Sequence, residues 1–224
     1  MTFYKSILII ILARGNSIRV KNKNIREIKG KSLISITLNF AKKLKNFKIV
    51  LSTDSERIKK ISNNFDKIII HNRTKKYSGP KSQSLVLVAK IIKWYNDKYK
   101  KNIKGVILLQ PTSPFRKKSV IISTVNKFVK NNYRYNYISV TKCNKKRTFM
   151  INKKNHLLSL SSQALNGNCK ANGNFYIFNI KKIKKSVNET IKNFQTKGIF
   201  INSTKYSTDI DSDEDLKKAR SFEK

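Results

Sequence analysis

A chain of 224 residues, 39% of them hydrophobic and only three of them proline, is long enough to bury one ordinary α/β core and gives no sign of a second independent domain. Fifty Lys and Arg against 12 Asp and Glu give a net charge of +38, which at face value suggests a nucleic-acid partner. The charge is mostly diffuse lysine without an RNP, zinc-finger or basic-helix pattern, so a nucleic-acid-binding module is the outsider among functions. Two cysteines, Cys143 and Cys169, without CxxC spacing, and two histidines, His71 and His156, argue against a Cys/His metal site. The apolar start, Ile7 to Ala13, runs into Arg14 where a signal peptide needs a small-residue cleavage site, and no stretch approaches the roughly 18 apolar residues of a membrane span. A cytoplasmic protein with reduced thiols is the expectation.

In chain order, Ser6 to Leu12 is an unbroken apolar run of strand length, the pattern of a strand buried on both faces of a parallel sheet. The loop that follows, Ala13 to Asn24, carries four cations with Gly, Asn and Ser. In open α/β sheets ligands bind at the carboxyl ends of strands, so such a loop is placed to take an anion such as a polyphosphate. Ser32 caps a helix whose apolar positions Leu33, Ile36, Thr37, Phe40, Ala41 and Leu44 share one face. Phe47 to Leu51 is a second strand, Glu56 to Asn63 a second helix, Lys67 to Ile70 a third strand, and a helix beginning at Ser82 follows. Gly105 to Leu109 leads directly into Gln110-Pro111-Thr112-Ser113-Pro114, where two of the three prolines fix one short loop. A helix over Ser119 to Val129 and a strand over Tyr137 to Thr141 complete the alternation, which argues for a doubly wound, mainly parallel sheet.

The rhythm breaks over residues 142–171, where a short β-like piece at Thr148 to Asn152 fits an arm projecting from the sheet. Strand character returns at Asn172 to Asn179. Asp209 and Asp211, two apart in an extended segment, point the same way, and in so basic a chain the pair reads as a Mg²⁺ site, since Mg²⁺ commonly takes one or two carboxylates plus phosphates and waters. The alternative for the acids that follow, Asp213 to Asp215, is favourable charge at a helix N-terminus, and Ser212 with Asp215 predicts a capping box for a last helix over Asp213 to Phe222.

Four ordered stretches carry a resemblance. Leu12-Ala13-Arg14-Gly15-Asn16-Ser17 with Lys23-Asn24 and Gly30-Lys31-Ser32-Leu33-Ile34, then Ser52-Thr53-Asp54, then Leu109 to Arg116, then Asp209-Ile210-Asp211 with Glu214-Asp215-Leu216, together resemble the CMP-sialic acid synthetases, or acylneuraminate cytidylyltransferases. The resemblance implies a Rossmann-like nucleotidyltransferase fold in a single domain, with 142–171 as a dimerisation arm. It also implies CTP and a nine-carbon 2-keto acid sugar as substrates, Mg²⁺ as cofactor and a homodimer. Kdo, an eight-carbon acid, is the alternative acceptor.

Carried over by position, Ala13, Arg14, Gly15, Asn16, Ser17, Lys23, Asn24, Arg73 and Ser82 meet the nucleotide. Arg14 and Lys23 hold the triphosphate, and Asn24 helps read the base. Gln110, Ser113, Arg116, Gln163, Lys170 and Asn172 face the sugar; Asp209 and Asp211 hold the metal; Lys23, Arg14 and Asp211 are the catalytic set. The departures gather on the sugar side: Thr74 replaces a proline, Ser162 stands where an arginine often meets the sugar carboxylate, and Lys170 replaces a later arginine.

Overall fold

In the computed structural model, residues 3–17, 20–79, 83–143, 149–151, 157–158, 168–184, 189–190 and 195–223 are described. The strands are β1 (Ile7–Leu12), β2 (Glu27–Ile28), β3 (Lys31–Ser32), β4 (Lys48–Thr53), β5 (Ile68–Asn72), β6 (Gly105–Leu109), β7 (Asn136–Lys142), β8 (Phe149–Ile151), β9 (Leu157–Leu158), β10 (Asn168–Asn179) and β11 (Thr196–Phe200). The helices are α1 (Leu33–Lys43), α2 (Glu56–Ser62), α3 (Ser84–Tyr99), α4 (Lys118–Lys130) and α5 (Asp213–Ser221).

The main sheet runs β11-β7-β10-β6-β1-β4-β5. Its β6-β1-β4-β5 half is parallel, as is the β11-β7 pair, and β10 lies antiparallel to both β6 and β7. Successive residues of β1 serve opposite faces. Ile7, Ile9 and Ile11 join the core covered by α1 and α4, and Leu8 and Ile10 join the one covered by α3. Both faces being dry explains why the run is continuously apolar instead of alternating.

The local signals for α1 and α5 operate as the sequence suggests. The Ser32 hydroxyl accepts from the N–H of Ser35, and Ser212 with Asp215 forms a reciprocal capping box. Where the chain departs from expectation, tertiary pairing decides. The β2-β3 hairpin and β11 carry little periodic signal of their own and exist through their partners. The 209–211 segment is not a strand of the sheet; it is moored by the Ile210 N–H on the Thr112 carbonyl at 2.8 Å. Within the 142–171 stretch, β8 pairs with the start of β10 and β9 pairs with β8, and residues 144–148, 152–156 and 159–167 lie outside the described residues.

This topology positions the site. The parallel strands β1, β4, β5 and β6 all end at one edge, and the antiparallel β10 brings its first half, Asn172 to Asn174, back to that edge. The segments that carry Arg14, Asp54, Gln110 and Asn172 therefore converge on a single rim.

Candidate active site

The loop after β1 is fixed from both sides. The Gly15 N–H donates to Asp54 Oδ1 at 2.7 Å, and the Asn24 side-chain amide donates to the Arg14 carbonyl at 2.8 Å. Gly15 is closely packed, since a Cβ there would sit 3.0 Å from the Cβ of Ser55 and require that neighbour to give way. Arg73, at the end of β5, bonds the Tyr77 carbonyl through Nε at 2.8 Å and also through Nη2. Burial lowers its pKa, Asp54 works against that lowering, and Arg14 adds to it, so the ends of β1, β4 and β5 bring two arginines and one carboxylate into a single electrostatic cluster. Burial would raise the Asp54 pKa, but the Gly15 N–H, the Ser78 hydroxyl and the Arg73 charge outweigh it and hold the carboxyl below its usual range.

The second cluster is built on Lys23. A short 3₁₀ turn, Lys23–Ile25, carries both Lys23 and Asn24 into the interior. The Lys23 ammonium donates to Asp211 Oδ1 at 2.9 Å and to the Ile210 carbonyl at 2.8 Å. Its side chain is 9% exposed and that of Asp211 48% exposed, so the pair is covered on the lysine side and open on the carboxylate side. Asp209 receives the Ser113 hydroxyl at 3.1 Å, and burial raises its pKa against the pull of the Thr112 and Ser113 hydroxyls and of Lys23, with the neighbouring Asp211 charge adding to the rise. Two hard carboxylates of which one is insufficiently neutralised form a donor set that fits a divalent cation. Among the described residues no group of three or more His, Cys, Asp or Glu gathers, so these two acids are the carboxylates such an ion would use, with its other oxygens drawn from carbonyls, waters or phosphates.

The floor of this crevice is backbone. β10 changes register between Ala171 and Tyr176, and Gly173 at φ +74° sits in that irregularity. A Cβ at Gly173 would lie 2.6 Å from Ser113 Oγ, 3.0 Å from Gln110 Oε1 and 3.1 Å from Asp209 Cγ. Gln110 and Ser113 therefore border the same crevice as Asp209. Asn172 is 2% exposed; its Oδ1 accepts from the Asn174 N–H, and its Nδ2 has no partner among the described residues. Lys170 is exposed two residues earlier on β10, paired in register with Thr141.

Two residues placed against the sugar by resemblance turn inward. Arg116 is 8% exposed: Nε donates to the Asn174 carbonyl at 2.8 Å, Nη2 to the Gln110 carbonyl, and Nη1 lies 3.4 Å from the Thr37 hydroxyl, above the Phe40 ring. Burial pushes this guanidinium down to about 9, and Asp209 opposes the shift. Arg116 thus ties α1, the proline loop and β10 together. Ser113 is fully buried and shares its hydroxyl between Asp209 and the Asn172 carbonyl, so it supports the crevice from beneath. Ser82 and Gln163 lie outside the described residues.

Asp54 and Thr112 were visible only as members of motifs, with no role assigned. For Asp54 a signal existed, namely an acid at the end of a buried parallel strand in a chain with only 12 acids. A cavity of about 690 Å³ lies behind Pro114 and Phe115, and another of about 740 Å³ at the opposite edge of the sheet. Neither is lined by Arg14, Lys23, Asp209 or Asp211, and the convergence of polar groups locates the site better than cavity size does.

Comparison with known proteins gives the family and the fold. The chain is 29% identical over 218 residues to the CMP-N,N'-diacetyllegionaminic acid synthase of Legionella pneumophila, covering 92% of this chain and 91% of that one. It is 32% identical over 126 residues to the post-translational flagellin modification protein B of Campylobacter coli and 30% identical over 140 residues to the N-acylneuraminate cytidylyltransferase of Escherichia coli. Those two matches take in 56% and 62% of this chain but only 54% and 32% of the relatives' lengths. In structure, the CTP complex of a CMP:2-keto-3-deoxy-manno-octonic acid synthetase superposes with a TM-score of 0.75 over 98% of both chains at 15% identity, which establishes a shared fold. A family model described as cytidylyltransferase matches residues 8–224, essentially the whole sheet and both polar clusters, and the chain belongs to that family.

Proposed function

We propose that this protein transfers a cytidylyl group from CTP to a nine-carbon 2-keto acid sugar of the sialic or legionaminic type. The sugar's anomeric hydroxyl oxygen forms a bond to the α-phosphorus, the bond from that phosphorus to the bridging oxygen breaks, and pyrophosphate leaves with the electron pair while the hydroxyl loses its proton. The observation that carries the reading is the meeting of Lys23 with the Asp209 and Asp211 pair at the carboxyl edge of the sheet, beside the Arg14 loop. Phosphoryl transfer depends mainly on positioning and on neutralising the phosphate oxygens, and this edge supplies fixed cations for both.

Arg14 and Lys23 suit the triphosphate, Arg14 held by its backbone and Lys23 by its buried stem. Asp209 and Asp211 would hold Mg²⁺, which when bound screens the phosphates and stabilises the leaving pyrophosphate. On the acceptor side Arg116 is occupied internally, and the exposed Lys170 on β10 is a cation open to a sugar carboxylate. A lysine is less directional toward a carboxylate than an arginine fork, and this favours a relative of sialic acid over sialic acid itself. The near full-length match to the Legionella relative supports the same class of acceptor. The arm of residues 142–171 is the proposed homodimer contact, to be checked by sedimentation with the arm intact and shortened. No described helix is long and apolar enough to cross a membrane, and the two free cysteines agree with a cytoplasmic setting.

The deciding experiment measures pyrophosphate release from each of four nucleoside triphosphates with sialic, legionaminic, pseudaminic and Kdo acids. CTP with a nonulosonic acid should be the productive pair. Release with Kdo alone would reassign the acceptor, and no release from CTP with any of the acids would refute the reading.

A further inference from the structure

We infer that Lys23 serves as the resident counter-cation of Asp211 in the ligand-free protein and surrenders that carboxylate to a divalent ion when the triphosphate draws its ammonium away. The inference rests on the reading of Asp209 and Asp211 as metal-binding carboxylates. It adds that the lysine and the ion compete for one of them.

Three observations carry it. First, the Lys23 ammonium has three hydrogens, and two are committed to Asp211 Oδ1 and the Ile210 carbonyl at 2.9 and 2.8 Å. In this arrangement it cannot give its full charge to a phosphate. Second, Lys23 is covered while Asp211 is half exposed, so the carboxylate can receive an ion from solvent without any movement of the buried lysine stem. Third, the Lys23 charge is felt by Asp209 as well as by Asp211, which places one ammonium between the two carboxylates. That is the electrostatic place of a cation, and a lysine fills it here.

Consequently the ion and the nucleotide favour each other. A triphosphate that engages Lys23 opens Asp211, and an ion on Asp211 frees Lys23 for the phosphates. Linkage makes the two effects equal in free energy.

The test uses Mn²⁺ alone as probe, with free ion followed by electron paramagnetic resonance in the full chain without nucleotide. Lys23→Met should bind Mn²⁺ about tenfold more tightly than wild type, within the usual range for coupled sites. Lys31→Met, which removes the same charge from the exposed position of β3, should leave the affinity near wild type. In an Asp211→Asn background the gain from Lys23→Met should vanish. If Lys23→Met does not fold, Lys23→Gln, which keeps a donor for the Ile210 carbonyl, replaces it with the same expectation.

Equal effects of Lys23→Met and Lys31→Met, weaker binding by Lys23→Met, or an Mn²⁺ affinity indifferent to Asp211→Asn would each overturn the proposal. Failure of the cytidylyltransferase reading shows separately, as an absence of pyrophosphate release from CTP. It leaves the ion titration unaffected.

Discussion

Asp54 holds Gly15 by the backbone, its carboxylate accepting the Gly15 N–H at 2.7 Å across 39 residues of sequence. The loop after β1 therefore takes its shape from the end of β4 as well as from its own residues. A hydrogen bond of this kind, charge-assisted but exposed, contributes about 1 kcal/mol. Asp54→Ala should lose that much stability in denaturant titration and lower turnover by about tenfold or more, because a loop displaced by a fraction of an ångström misaligns the phosphates. In wild type the Asp54 pKa is lowered, so its contribution is present above the unfolded value of 3.8 and is lost as pH falls through the folded value. The Gly15 amide proton should report that titration in NMR, and a shift insensitive to acid would show that the bond is not formed in solution.

Asp209 has the opposite sign. Its pKa is raised, mainly by burial, so its contribution to stability is present below 3.8 and is lost as pH rises through the folded value. At neutral pH the charged form is a cost to the ligand-free fold. Asp209→Asn should accordingly raise Tm, by about 2–4 °C for each kcal/mol recovered in a chain of this size. The same variant should lose turnover by about a hundredfold or more, as expected when a group stabilising transition-state charge is removed. A variant that is both destabilised and active would contradict both halves.

Gly173→Ala tests the crevice floor. At φ +74° an L-residue pays about 1–2 kcal/mol, and its Cβ would fall 2.6 Å from Ser113 Oγ. Together with the overpacking, the expected loss is about 2–4 kcal/mol, read by chemical denaturation, with Asp209 pushed out of place. A neutral effect would mean that β10 can shift at this point.

Arg116→Lys separates a structural arginine from a sugar-binding one. The lysine keeps the charge but not the fork that reaches the Asn174 and Gln110 carbonyls, and stranded buried acceptors cost about 1–3 kcal/mol each. The expected result is a fall in Tm. Normal stability with only a raised KM for the sugar would return Arg116 to the substrate.

The sequence made the parallel half of the fold readable because β1, β4 and β6 are buried on both faces and α1 and α5 carry their caps in plain view. Gly105 to Leu109 came out with the observed bounds. β11 was missed because Thr196 to Phe200 has no pattern apart from its pairing with β7, and β10 begins four residues before its alternation becomes visible at Asn172. For the site, position along the chain singled out Arg14, Lys23, Asp209 and Asp211 as candidates, and the structure brings Lys23 and the two acids together, but the direction of a side chain is a tertiary fact. Arg116 follows the proline loop just as a substrate-facing residue would, and only the Thr37 hydroxyl on α1 and the Asn174 and Gln110 carbonyls around it reveal that it faces inward.

The register change in β10 bears on how this protein can vary. Between Ala171 and Tyr176 the strand spends four residues where β7 spends one, so the alternation of its outer half is not in phase with that of its inner half by necessity. Tyr176 and Ile177 are held in register by β6 and β7 together and Phe178 by β6, so the faces of this inner half do not depend on the register of the strand before Ala171. The two halves of β10 can thus vary independently of each other, and the crevice floor at Gly173 sits at the joint between them.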